Sequence, residues 1–221
     1  MRKRSALVFG ASGLVGSQLV DLLSAHAAYE AVHVFVRRVP VQTPPGVVVH
    51  LVDFDRPDDW ADQVRGDDLF CCLGTTMKQA GSRDAFRRVD YELPMTIARI
   101  ALAQGVGHYL LISSLGSDPH SPIFYSRVKG EVERDLQALP FAHLSILQPS
   151  LLLGDRQQQR TGEHLAQRLS PLLDRLFVGP LRVYRAIHAR DVARAMIALA
   201  LHPQPGPIHR SDALQALAAG Q

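Results

Sequence analysis

The stretch Ala6–Leu23, ALVFGASGLVGSQLVDLL, constrains the fold more than any other part of the chain. An apolar run, Ala6–Phe9, leads into glycines at 10, 13 and 16. Leu14, Val15, Leu19, Leu22 and Leu23 then recur at helical spacing. A buried strand that turns at once into a helix leaves the first N–H groups of that helix unpaired. Glycines let a ligand come close to the same backbone. Such a turn is built to hold phosphate. The spacing is Gly-x-x-Gly-x-x-Gly, not the commoner Gly-x-Gly-x-x-Gly, so its weight comes from the strand before it and the helix after it.

A second apolar run, AVHVFV, ends about twenty residues beyond the turn in Arg37 and Arg38. In a dinucleotide-binding fold the end of the second strand meets the adenosine ribose. An acid there favours NAD, and an arginine accommodates a 2′-phosphate. Two arginines and no acid point to NADP in preference to NAD.

The rest of the chain alternates. Strands are expected near 5–9, 32–37, 47–52, 68–73, 108–113 and 142–148, with helices near 14–26, 57–65, 84–104, 123–138 and 190–201. VVVHLV and HYLLIS are almost wholly apolar, as strands covered on both faces must be. The expected class is α/β: a doubly wound, mostly parallel Rossmann sheet with helices on both faces and a small C-terminal appendage on the substrate side. One domain over 1–221 is expected, with its core in about 1–153 and the substrate-side region in about 154–221. The polar loop Gly154–Glu163 marks where the chain leaves the main sheet. A helical stretch and a short strand near 181–187 should follow. The residues from His202 on, with their prolines and a short apolar helix, are expected to pack late or fray.

Composition excludes several classes of function. No apolar run approaches the ~20 residues of a membrane span, and MRKRSALVFG enters a strand too early for a signal peptide. The adjacent Cys71 and Cys72 form no disulfide framework, so the expected compartment is the reducing cytoplasm. The net charge of +3 comes with scattered arginines and no basic stripe, so nucleic acid is not indicated. The histidines show no ligand spacing, and no metal is expected.

In such sheets ligands sit beyond the carboxyl ends of the strands. That directs attention to four segments: Gly10–Gly16, Arg37–Arg38, Leu73–Gly74–Thr75 and Ser113–Ser114. After the last of these, FYSRVKGEVE places Tyr125 and Lys129 one helical turn apart on one face. An ammonium beside a phenol favours the phenolate, which makes the tyrosine a usable acid or base near neutral pH. Ser114 can hydrogen-bond a carbonyl or hydroxyl. Lysine is otherwise scarce: Lys3, Lys78 and Lys129 stand among 24 basic residues, the others all arginine. Ser114, Tyr125 and Lys129 are therefore the candidate catalytic set for hydride transfer with a nicotinamide cofactor.

The segments GASGLVG, DLFCCLGTT, FRRVD, LLISSLGSD, FYSRVKGEVE and LQPSLLLGDRQQQRTGE resemble the short-chain dehydrogenase/reductase superfamily, in its atypical Tat-interacting-protein-like branch. The resemblance runs from the N-terminus to about residue 165. It implies an NADP(H)-binding Rossmann fold acting on a small carbonyl or alcohol. By it, Ser12, Gly13, Leu14, Val15 and Gly16 meet the pyrophosphate and Arg37 the 2′-phosphate. Asp53 sits by the adenine, Leu73, Gly74 and Thr75 line the adenosine side, Lys129 holds the nicotinamide ribose, and Arg160 reaches in from the polar loop. A regulatory protein that reads NADPH and acts through a protein partner is the alternative, and homo-oligomerisation is left open.

Two departures bear on the chemistry. Asp90 in RVDYE stands where many members carry asparagine, and Gln148 in LQPS replaces a common arginine. Ser113 competes with Ser114 as the site serine; Ser114 is preferred because it lies farther past the strand end.

Overall fold

The computed structural model describes residues 3–39, 42–154 and 179–220. The strands are β1 (Arg4–Phe9), β2 (Tyr29–Val36), β3 (Val47–Leu51), β4 (Asp68–Cys71), β5 (His108–Ile112), β6 (His143–Gln148), β7 (Leu152–Leu153), β8 (Ile187–His188) and β9 (Ile208–Arg210). The helices are α1 (Leu14–Ser24), α2 (Met77–Ala80), α3 (Arg83–Arg87), α4 (Leu93–Ala103), α5 (Phe124–Gln137), α6 (Ala189–Leu201) and α7 (Ser211–Ala219). A seven-stranded sheet runs β3-β2-β1-β4-β5-β6-β9, and all of its pairings are parallel. The order reverses between β1 and β4, so a crevice opens at their carboxyl ends. β7 and β8 pair with each other apart from this sheet.

Both faces of the sheet are covered, which explains the unbroken apolar strands. On one face Val8, Val34, Leu110 and Leu147 pack with Leu19 and Leu23 of α1 and Val192, Met196 and Leu199 of α6. On the other, Leu7, Phe9, Leu69 and Leu111 pack with Trp60, Met95, Ile97, Val132 and Leu136. Phe9 and Phe35 stack with their centroids 4.4 Å apart, and Trp60 closes the cluster 5.8 Å from Phe9.

The structure departs from the sequence reading at four places. Residues 57–65 form two 3-10 turns, Pro57–Asp59 and Ala61–Gln63, in place of a helix. Trp60 and Val64 must both enter the core, and the Trp60 indole N–H donates to the Asp53 carbonyl at 2.9 Å. The expected helix 84–104 widens into a π turn at Arg88–Glu92. Pro94 has no N–H for the carbonyl four residues back, and its ring crowds that carbonyl, so the helix opens just ahead of it. Residues 208–219 form packed elements in place of the expected frayed end. Ile208–Arg210 adds a strand beside β6, and α7 seats Ser211 and Leu214 out of solvent. The expected short strand near 181–187 is a 3-10 turn over Gly179–Tyr184 followed by β8. Most of the polar loop and the helical stretch after it lie outside the described residues.

Candidate active site

Register builds the crevice. Phe9 lies opposite Cys71, so Gly10 and Cys72 are the first residues past their strands. Gly10 has φ +84°, and a β-carbon there would fall 2.6 Å from the Cys72 carbonyl. A β-carbon on Gly16 would lie 2.1 Å from the Gly10 carbonyl oxygen, and one on Gly13 3.2 Å from the same atom. The Gly13 N–H donates to that oxygen at 2.9 Å. Gly13 and Gly16 therefore crowd around the Gly10 carbonyl, and Gly10 around that of Cys72. Gly13 is also the N-cap of α1, with no side-chain cap and no acid in the first turn. The unpaired amides and the positive end of the helix dipole are left for an anion. Ser12 is exposed, Leu14 is half-buried, and Val15 and Gly16 are buried. The turn fits a pyrophosphate, and Val15, whose side chain belongs to the core, can offer it only backbone.

Arg37 and Arg38 follow β2 directly and are exposed, and neither meets a carboxylate among the described residues. Asp53 is exposed past β3, where its Oδ1 accepts the Asp55 N–H at 2.9 Å. Leu73, Gly74 and Thr75 continue β4 toward the crevice. Arg160 lies outside the described residues.

Helix α5 is anchored by Val132 and Leu136, which pack with the sheet, and Val128 is buried on the same helix. Arg87–Glu131 at 2.5 Å and Tyr91–Asp135 at 2.7 Å clip it to α3 and the π turn. Gly130 admits the Asp118–Pro119 loop, because a β-carbon there would sit 2.2 Å from the loop backbone. These restraints fix the face that carries Tyr125 and Lys129. The Tyr125 ring leans on Phe86, with centroids 5.5 Å apart. Lys129 is only 5% exposed, and its Nζ lies 2.7 Å from Oδ1 of Asp90. The other Asp90 oxygen accepts the Thr75 N–H at 2.9 Å. Burial works against the Lys129 ammonium, but the attraction of Asp90, followed by that of Tyr125, outweighs it and holds its pKa above the ordinary lysine value.

The two serines part company. Ser113 is buried, and its hydroxyl donates to Glu133 and lies 3.1 Å from Ser117 Oγ. Glu133 also accepts the Gln148 side-chain N–H at 2.8 Å. Burial pushes the Glu133 carboxyl up, partly offset by these hydrogen bonds. Ser114 instead lines a cavity of about 940 Å³, together with Ser117, Glu133, Gln148, Tyr184 and Arg210. Glu133 escaped the sequence reading, although its place one turn beyond Lys129 on the same face was a usable signal. Among the described residues no group of histidine, cysteine or acid side chains could hold a metal ion. No helix among them is long and apolar enough to cross a membrane.

Residues 10–203 match the family model described as NAD(P)H-binding. Protein HTATIP2 of Rattus norvegicus is 38% identical over 172 residues, covering 76% of this chain and 71% of that protein. Among solved structures, MoeE5 in complex with UDP-glucose and NAD superposes with a TM-score of 0.68 at 17% identity, covering 98% of this chain and 81% of that one. The human epimerase family protein SDR39U1 with NADPH superposes at 0.63 and 15% identity, covering 92% and 72%. The architecture, the glycine turn at the strand crevice and the family match together make this chain a member of the NAD(P)H-binding Rossmann family.

Proposed function

We propose that the chain is an NADP(H)-dependent oxidoreductase of the short-chain type, acting on a small carbonyl or alcohol. The observation that carries this reading is Lys129, buried on the same face of α5 as Tyr125 beside the strand-end crevice. A buried lysine needs a partner, and Asp90 supplies it here. When bound, the nicotinamide supplies or takes the hydride. Tyr125 gives or takes the proton, Ser114 orients the substrate oxygen from the cavity wall, and Lys129 holds the ribose and faces the phenol. Gly10, Ser12, Gly13, Leu14, Val15 and Gly16 cradle the pyrophosphate. Arg37 and Arg38 meet the 2′-phosphate, while Asp53 and Leu73–Thr75 border the adenosine. The cavity beside Ser114 is of ordinary size for a small-molecule site, and neither Tyr125 nor Lys129 lines it.

The test is NADPH consumption by purified protein against panels of aldehydes, ketones and quinones, with Tyr125→Phe as the control. Turnover no faster than this control would overturn the reading.

A second reading has its own observation: Gln148, at the substrate-bordering position, is spent on Glu133. A protein that binds NADPH and passes its redox state to a protein partner needs no substrate contact there. Partner binding that is equal with and without NADPH would remove this alternative.

A further inference from the structure

The cavity beside Ser114 gathers the carboxyl ends of β5, β6 and β9 along one edge of α5. Gln148 and Arg210 lie opposite each other in the β6–β9 register, so their side chains leave the same face of the sheet. Much of the polar lining is already engaged within the protein. Glu133 accepts from Ser113 and from the Gln148 amide, 2.8 Å away. Ser117 Oγ donates to the Ser114 carbonyl at 2.7 Å, and Arg134 is paired with Asp135 at 2.8 Å. Gln137 donates to the Glu133 carbonyl at 3.0 Å. Arg210 stands apart. It lines the cavity, it is exposed, and its guanidinium has no hydrogen bond or ion pair among the described residues. The Ser114 hydroxyl is nearly as free, with the Leu115 carbonyl at 3.4 Å, beyond the range of a firm hydrogen bond.

A guanidinium presents a planar fork of N–H donors that grips carboxylate or phosphate oxygens two at a time. A serine hydroxyl donates to a carbonyl oxygen, and Leu115, Leu151, Val183 and Ile208 add apolar wall to the same cavity. We propose that the cavity takes an anionic carbonyl compound, with Arg210 binding its carboxylate or phosphate group and Ser114 its carbonyl oxygen. This rests on the placement of Ser114 under the proposed function and adds the class of substrate. Tyr125 and Lys129 lie outside the cavity lining. The cavity therefore receives the end of the substrate that does not react, and Ser114 marks the border where the carbonyl stands. A charged group held there positions the reacting end from a distance. Among the described lining residues Glu133 is the one acid, set against Arg134 and Arg210. It opposes an anion little, because its carboxyl is bonded to Ser113 and Gln148 and burial pushes it toward the neutral form.

The test is a binding measurement. Para-carboxybenzaldehyde, para-formylphenyl phosphate and the neutral methyl ester of the first are titrated calorimetrically into the protein. Excess NADP⁺ is present, so that Arg37 and Arg38 are occupied and no hydride is available. Both anions should bind about tenfold or more tightly than the ester. Arg210→Gln should abolish that preference and Arg210→Lys should keep part of it, with ester affinity the same in wild type and variants. The order of the two anions identifies carboxylate or phosphate as the preferred group. Equal affinity for ester and anions in wild type, no binding of either anion, or a preference that survives in Arg210→Gln overturns the proposal. Arg210 is exposed and its side chain is unbonded, so both variants should match wild type in urea unfolding, and the comparison within wild type stands without them. Failure of the oxidoreductase reading shows itself separately, as intact anion binding with no NADPH consumed on para-carboxybenzaldehyde.

Discussion

A β-carbon on Gly16 would stand 2.1 Å from the carbonyl oxygen of Gly10. Helix α1 and the turn before it therefore touch backbone to backbone, with no room for a methyl group. Gly16→Ala must push the helix start away from β1. We expect a loss of about 2 kcal/mol or more in urea-unfolding stability and at least a tenfold weaker NADPH affinity by fluorescence titration. Gly107, with open space around its β-position and no positive φ, is the control; Gly107→Ala should leave affinity unchanged.

Arg37 and Arg38 bear on which dinucleotide is held. Their joint replacement by alanine should weaken NADPH binding roughly tenfold or more, as expected for losing charge-assisted contacts to a phosphate. NADH affinity should move far less. Equal losses for both cofactors in calorimetric titrations would reject the 2′-phosphate role.

Tyr125→Phe removes the proton and keeps the ring that packs on Phe86. Under the proposed chemistry, turnover should fall about 10²- to 10⁴-fold with NADPH affinity nearly unchanged. Lys129→Met should cost both, since it also leaves Asp90 buried without its cation. Steady-state kinetics and binding together separate the two patterns.

His108 makes acid stability a test of the sheet's other end. Its Nε2 lies 3.0 Å from Ser145 Oγ, and burial above all, followed by nearby His143 and Arg4, lowers its pKa to about 4. The folded chain refuses a proton that the unfolded chain accepts. Stability from this residue is therefore full above about pH 6.5 and drains away as pH falls toward 4, by roughly 3 kcal/mol in all. His33 and His209, also lowered by burial, act in the same sense. Asp68 and Glu133, raised by burial, act oppositely. The difference between wild type and His108→Gln across pH 7 to 4 isolates the effect, and parallel unfolding curves would refute it.

Much of the frame was legible because it is written in local pattern. An apolar run, three glycines and a helical repeat defined β1 and α1, and nearly continuous Val, Ile and Leu marked the covered strands. What escaped depended on partners distant in sequence. Pro94 was visible, but that it would open a π turn and aim Asp90 at Lys129 needs the packed helix pair. Ile208–Arg210 is too short to declare itself a strand, and only the free edge of β6 makes it one. The two serines look alike in sequence, and only the fold shows that Ser113 is buried against Glu133 while Ser114 borders a cavity.

That last strand orders events during synthesis. Among the described residues the β6 edge, Ile146–Gln148, is paired by residues 208–210, so a nascent chain exposes an apolar, hydrogen-bond-hungry edge until those residues emerge. Such an edge is a template for pairing with a neighbouring chain. The segment formed by β9 and α7 thus acts as a molecular hem, and deleting it should make the product aggregate even though the crevice lies elsewhere.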